Sequence, residues 1–129
     1  MTISNVKNTL SILWIFLSVN YLFCDVFSLY LSESLKQLLT GEMDGIAFTQ
    51  EFLLTFAIIM EIPLLMIVLS SLLHYKWNRI LNIAVGILMI IVQIGSLVTG
   101  KNTLHYLFFS SIEIIALTSI VFISWKWKN

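Results

Sequence analysis

The stretch FLLTFAIIMEIPLLMIVLSSLLH, residues 52–74, decides the fold. It is long enough to cross the hydrocarbon core of a bilayer as a helix, which takes about 20 residues. Its centre nevertheless carries a carboxylate, Glu61, two residues before Pro63, the only proline of the chain. The segment therefore predicts a transmembrane helix, and the polar interruption within it raises the question of function.

The composition of the whole chain agrees with a membrane location. Of its 129 residues, 59% are hydrophobic and 11% are charged, and the mean hydropathy is +0.97. Soluble domains carry about 25% charged residues, so too few charged groups are present here to cover a surface that faces water. The formal net charge is zero and the sequence has no basic run, so nothing indicates a nucleic-acid partner; the partner that the composition predicts is the lipid bilayer.

Four apolar segments predict an all-α fold, an antiparallel four-helix transmembrane bundle that forms a single membrane domain. Short links at residues 75–79 and 101–104 favour antiparallel neighbours. The longest connection, residues 32–51, begins with SESLKQLLTG, which predicts a short amphipathic helix ended by Gly41. That helix either lies on the membrane surface or folds over the mouth of the bundle. The predicted spans are residues 10–31, 52–74, 80–100 and 105–125.

Basic residues predict the orientation of the bundle. Positive side chains stay cytoplasmic, and here they collect on the side that carries both termini. We therefore expect a multi-pass protein of the cell membrane with its N-terminus and C-terminus in the cytoplasm and the long connection outside. The first apolar run is too long for the h-region of a signal peptide, which has about 7–15 residues, so we expect it to be retained. The basic residues on the terminal side are Lys7, Lys76, Arg79, Lys126 and Lys128, against Lys36 and Lys101 on the other.

Each predicted span contributes one strongly polar side chain at a similar depth. With a rise of about 1.5 Å per residue, these side chains fall roughly 3 to 7 Å outside the centre of their spans. An ionised carboxylate at the bilayer centre costs about 2.5–3.5 kcal/mol on insertion scales, so we expect them to face the interior of the bundle. The four residues are Asp25, Glu61, Gln93 and Glu113.

The predicted spans contain no Lys or Arg to neutralise these acids. Three resolutions remain open: the acids are protonated, they share protons in a coupled site, or they bind a cation that arrives from outside. Tyr21 falls one turn before Asp25 on the same helical stripe, and Pro63 frees a backbone carbonyl near Glu61. We therefore predict a polar pocket whose ligand-binding residues are Tyr21, Asp25, Glu61, Gln93 and Glu113.

Three sequence blocks carry a family resemblance. VNYLFCDVFSLY (residues 19–30), MEIPLLMIVLS (60–70) and SSIEI (110–114) resemble the signature blocks of a family of small four-span prokaryotic membrane proteins of unknown function. The resemblance implies the fold and the membrane location, and it implies no activity. In layout alone, the chain is also similar to DoxX-type bundles and to the emopamil-binding and sigma-two receptor group, in which intramembrane acids face a cavity for cationic or sterol-like molecules.

The leading functional hypothesis is a protein that binds or transports a small cationic or lipophilic ligand, or protons, in an outward-facing pocket. Transport through only four helices would favour a homodimer. Two alternatives stay open: a membrane-embedded enzyme whose paired carboxylates isomerise a lipid by acid–base chemistry, and a structural or assembly subunit of a membrane complex. The sequence has none of the common catalytic motifs, and we expect neither a metal site nor a cofactor.

Overall fold

The computed structural model describes residues 2–43, 46–99 and 102–128 of the chain. Four long helices form the bundle, and each is long and apolar enough to cross a membrane. The prediction of an all-α, antiparallel four-helix bundle is therefore confirmed. In chain order the elements are α1 (Ile3–Tyr30), α2 (Ser32–Leu39), β1 (Glu42–Met43), β2 (Ile46–Ala47), α3 (Gln50–Leu72), α4 (Tyr75–Thr99) and α5 (Leu104–Lys126).

Two helices begin well before the predicted apolar spans. Helix α1 starts at Ile3, where the Thr2 hydroxyl accepts a hydrogen bond from the Asn5 amide at 3.2 Å. Helix α4 starts at Tyr75, so residues 75–79 form its first turn and the connection from α3 consists of residues 73–74 alone. Polar residues at the ends of a span lie outside the hydrocarbon core, so they can continue the helix. A hydropathy pattern does not identify them as part of it, because they are not apolar. Part of the predicted link at 101–104 lies outside the described residues.

The connection between α1 and α3 contains the predicted short helix. Helix α2 covers Ser32–Leu39, and Gly41 follows it with φ +84°, the left-handed conformation that commonly ends a helix. The Gly41 amide donates to the Leu38 carbonyl at 3.0 Å, which satisfies one of the last carbonyls of the helix. Strands β1 and β2 then pair antiparallel and return the chain towards α3.

Helix α1 organises the bundle, because it packs against both α3 and α5, and α5 in turn packs against α4. Its buried side chains recur every three or four residues and form a single stripe. Helix α3 is the least covered of the four spans, because 11% of the residues in its most apolar stretch are buried. The buried stripe of α1 consists of Val6, Leu10, Ser11, Trp14, Leu17, Tyr21 and Cys24.

A buried polar network ties three helices together near the α3–α4 connection. The indole N–H of Trp14 on α1 donates to Oδ1 of Asn82 at 2.7 Å, and the Ser70 hydroxyl on α3 donates to the same oxygen at 3.3 Å. The Asn82 amide donates to Oδ1 of Asn78 at 2.6 Å, and the Asn78 amide donates to the Ser70 carbonyl at 2.7 Å. These four side chains are fully buried, so the network replaces the hydrogen bonds that water would have supplied.

The start of α4 also holds the end of α5. Arg79 donates from Nε to the Ser124 carbonyl at 3.0 Å and from Nη2 to the Trp125 carbonyl at 3.1 Å. The Tyr75 hydroxyl donates to the Trp127 carbonyl at 2.8 Å, and the two rings meet edge to face at 5.0 Å. A cation at these last carbonyls satisfies orphan acceptors and complements the helix dipole. This end of the bundle is thereby fixed, and the opposite end carries the cavity.

Candidate functional site

A cavity of about 550 Å³ lies at the end of the bundle where α2 connects α1 to α3. Its walls come from the last turns of α1, the first turns of α3, the end of α4 and the start of α5. Side chains of α2, including Glu33, Gln37 and Leu38, also line it. Helix α2 thus lies against the mouth of the bundle, one of the two positions that the sequence left open.

One wall of the cavity is a ladder of three phenylalanines. The rings of Phe48 and Phe52 stack at a centroid distance of 5.1 Å with 8° between their planes, and those of Phe52 and Phe56 at 6.4 Å with 16°. The spacing of four residues places the last two on one face of α3, and Phe48 extends the row just before the helix begins. The ladder gives the cavity an aromatic wall about two helical turns long.

Another part of the lining is polar. Asp25 on α1 is exposed to the cavity, and Ser28 lies one turn further along the same helix. The Ser28 hydroxyl and Nε2 of His105 are 3.1 Å apart, and Nδ1 of His105 is 3.1 Å from the Thr103 hydroxyl. Both ring nitrogens therefore have a hydroxyl partner, which fixes the orientation of the imidazole. The remaining polar lining residues are Ser96, Asn102 and Tyr106.

A second polar cluster lies deeper in the bundle, behind this wall. Glu113 on α5 is only 2% exposed, and the Gln93 side chain of α4 bonds with its carboxyl group. The Gln93 amide also donates to the Ser110 hydroxyl at 2.9 Å. Two oxygen atoms of the cluster, Oε2 of Glu113 and the hydroxyl of Tyr21, are buried without a hydrogen-bond partner among the described residues. Unpaired buried oxygens of this kind are rare, because each costs about 1–3 kcal/mol.

Tyr106 connects the cavity to the deeper cluster. Its side chain lines the cavity, its hydroxyl forms a hydrogen bond with the Ser96 hydroxyl, and it also interacts with Ser110, to which Gln93 donates. Asp25 lies close enough to Glu113 for its charge to act on the buried carboxyl group. A charge placed in the cavity would therefore act on the buried carboxyl group.

Four of the five predicted site residues come together at this end of the bundle, namely Tyr21, Asp25, Gln93 and Glu113. Glu61 does not join them, because its side chain is exposed on the outer face of α3, whereas Pro63 is buried against the bundle. Residues two apart on a helix point in directions about 200° apart, so Glu61 and Pro63 cannot form one wall together. The inward orientation expected of Glu61 is corrected accordingly.

Several lining residues were missed by the sequence analysis. The phenylalanine ladder has a visible signal, a spacing of four residues at 48, 52 and 56, but its first member lies outside the helix and the pattern reads as ordinary apolar sequence. His105 lies at the end of a predicted span, where a histidine carries no signal that separates a site residue from an interfacial one. Among the described residues, no group of three His, Cys, Asp or Glu side chains is placed to hold a metal ion.

The fold and the cavity define a small multi-pass membrane protein, a bundle of four apolar helices with a partly polar pocket at one end. The chain belongs to a family of unknown function, DUF6326, whose family profile matches residues 3–129. The match to a family without an assigned function agrees with the resemblance carried by the three sequence blocks. A search of curated proteins found no match, and a search of solved structures found none.

Proposed function

We propose that the protein binds a small lipophilic cation in the cavity between Asp25 and the phenylalanine ladder. The single observation that carries the proposal is that this carboxylate and the stacked aromatic rings line the same cavity. A carboxylate attracts the charge of a cation, the aromatic rings attract its apolar body, and a cation that lies over the face of a ring gains about 0.5–2 kcal/mol. The volume of about 550 Å³ falls within the usual range of ligand pockets, roughly 300–1,000 Å³.

The charge of the cavity wall favours a cation over an anion. The described lining residues include two acids, Asp25 and Glu33, and neither Lys nor Arg. The alternative of an acid–base enzyme for lipids receives less support, because Glu61 and Glu113, two of the three predicted site carboxylates, do not line the cavity.

The membrane sides follow from the basic residues. We propose that the chain lies in the cell membrane with both termini in the cytoplasm, because five of its seven basic residues belong to the terminal side of the bundle. The cavity then opens towards the outside, and α2 lies over its mouth. A ligand would enter from the outer leaflet or from the medium.

Binding can be tested with phenyltrimethylammonium, a permanent lipophilic cation without a titratable proton. We expect saturable binding to the purified protein in detergent, measured by calorimetry, and a loss of affinity of at least tenfold in Asp25→Asn. Two opposite unit charges about 4 Å apart attract each other by about 1–4 kcal/mol, from bulk water to the surroundings of a protein surface, and 1.4 kcal/mol corresponds to tenfold. Phe52→Leu, which keeps the apolar volume and removes the π face, should weaken binding about two- to fivefold.

Glu61→Gln is the matched control for this experiment, since it makes the same change from acid to amide at a residue that faces away from the cavity. It should bind phenyltrimethylammonium as tightly as the parent protein. Absence of saturable binding by the parent protein, or equal affinity in Asp25→Asn, would overturn the proposal.

The outward carboxyl group of Glu61 also bears on assembly. We propose that the protein forms a homodimer through the outer face of α3. Glu61 is exposed near the middle of the least covered span, where contact of a carboxyl group with lipid is costly. In a twofold interface a residue near the axis meets its own copy, and a protonated carboxyl group both donates and accepts. The same side chain is therefore a complementary partner for itself.

We expect Glu61→Leu to weaken the dimer about five- to thirtyfold and Glu61→Gln to preserve it, because an amide also donates and accepts. Polar contacts between membrane helices contribute about 1–2 kcal/mol in model peptides. The dimer fraction can be measured by native mass spectrometry from nanodiscs. Glu51→Leu, the same substitution at the exposed start of α3, is the control and should leave the dimer intact. A parent protein that is monomeric at all concentrations would contradict the proposal.

A further inference from the structure

We infer that Glu113 is a proton-binding site coupled to the cavity: it holds a proton while the cavity is empty and releases it when a cation binds beside Asp25. The inference rests on the proposed function and deepens it, because ligand binding becomes linked to protons. It is carried by the arrangement of two clusters, the open polar wall of the cavity and the closed polar cluster directly behind it.

The surroundings of Glu113 favour a bound proton over a permanent charge. The side chain is 2% exposed, Gln93 reaches its carboxyl group, and Oε2 has no partner among the described residues. No described Lys or Arg acts on it. A buried carboxylate without a countercharge costs several kcal/mol, and a proton removes most of that cost. The cluster is thus built to hold an acid whose charge can change.

The link to the cavity is electrostatic. Asp25 lies close enough to Glu113 for its charge to act on the buried carboxyl group, and two neighbouring carboxyl groups resist ionising together. A cation that binds beside Asp25 cancels the charge that Glu113 feels, so the proton on Glu113 is held less strongly and leaves. By thermodynamic reciprocity, loss of that proton strengthens cation binding by the same factor.

Among the residues that the structure describes, no other group facing Glu113 is suited to this exchange. From α1 it meets Tyr21 and Cys24 in addition to Asp25, and Tyr106 lies on its own helix. Tyrosine and cysteine side chains are ordinarily neutral at pH 7. From α4 it meets the neutral amide of Gln93. On α3, Glu61 points away from the bundle.

The test is the number of protons released when phenyltrimethylammonium binds. Calorimetry in phosphate and in Tris at the same pH gives this number, because the two buffers differ in their heat of ionisation. We expect the parent protein to release a proton and its affinity to rise with pH, by up to tenfold per pH unit. Glu113→Gln should still bind the cation, release no proton and show an affinity that does not depend on pH.

The outcomes separate this inference from the proposed function. Failure of the parent protein to bind phenyltrimethylammonium overturns the proposed function. Binding without proton release, or release that persists in Glu113→Gln because Asp25 or His105 supplies the proton, overturns the inference alone.

Infrared difference spectroscopy provides a second readout if Glu113→Gln does not fold. Addition of the cation to the parent protein should remove a C=O band of a protonated carboxyl group. Gln93→Leu removes the amide that touches Glu113 and leaves the cavity lining unchanged, so it should shift the frequency of that band. A band that is absent, or that Gln93→Leu leaves unshifted, contradicts the assignment to Glu113.

Discussion

Replacement of Asn82 by Leu should lower the free energy of unfolding by about 2–5 kcal/mol, the largest effect we expect for a single residue of this chain. Asn82 is fully buried, and its amide bonds side chains on three helices. Leucine fills a similar volume but leaves the indole N–H of Trp14, the hydroxyl of Ser70 and Oδ1 of Asn78 without partners. The measurement is reversible unfolding in detergent micelles, followed by circular dichroism.

Asn20→Leu is the matched control for this prediction. Among the described residues, the Asn20 amide donates to the Phe16 carbonyl of its own helix alone, at 2.8 Å, so its loss should change the free energy of unfolding by no more than about 0.5 kcal/mol. Trp14→Phe adds a further check, because it removes the N–H that Asn82 satisfies. The double variant Trp14→Phe with Asn82→Leu should lose less stability than the sum of the two single variants, by about 0.5–3 kcal/mol. Strict additivity would show that the Trp14–Asn82 bond carries no energy.

The sequence predicts the four long apolar helices because hydropathy is summed over about 20 residues, so a few polar side chains do not hide the signal. It locates the helix ends poorly for the same reason. Lys7 and Lys76 lie inside helices α1 and α4, although each precedes the apolar part of its span. A lysine near the end of a span extends its charged group to the headgroup layer and continues the helix at little cost.

The sequence gives the depth of each candidate residue in the membrane more readily than the direction of its side chain. Counting residues along a span gives the height of a side chain in the membrane, whereas its direction around the helix must come from periodicity. On α1 the stripe of Tyr21, Asp25 and Ser28 identifies the inward face, and these residues do lie at the cavity or behind it. Helix α3 is apolar on every side, so its pattern gives no direction and Glu61 was wrongly expected to point inward.

The deeper cluster was partly predictable. Gln93 and Glu113 lie with small or polar residues on the buried stripes of α4 and α5. The absence of a countercharge near Glu113 was also visible, since the predicted spans contain neither Lys nor Arg. The contacts of Gln93 with Ser110 and of Ser96 with Tyr106 depend on the rotation of α5 about its own axis relative to α4. Tertiary packing sets this rotation, and a single sequence does not give it.

That rotation depends on Gly86, and Gly86→Ala provides the second large prediction. A Cβ atom added at Gly86 would lie 2.7 Å from Cγ2 of Val121 on α5, well inside van der Waals contact. Valine in a helix has essentially one rotamer, so Val121 cannot turn aside and the two helices must separate. Overpacking of this kind costs about 1–3 kcal/mol, which exceeds the gain of at most about 1 kcal/mol from replacing glycine by alanine in a helix.

Gly95 provides the control on the same helix, because a Cβ atom added there meets nothing within 4 Å. Unfolding in micelles should show Gly86→Ala destabilised and Gly95→Ala unchanged or stabilised by up to about 1 kcal/mol. Val121→Ala should rescue Gly86→Ala, since it removes the methyl group with which the new Cβ collides.

Gly86→Ala should also weaken the binding of phenyltrimethylammonium, because separation of α4 from α5 moves Ser96 away from Tyr106 at the cavity wall. If Gly86→Ala and Gly95→Ala unfold alike, close contact at Gly86 does not hold α4 against α5, and another contact must set the geometry of the cavity.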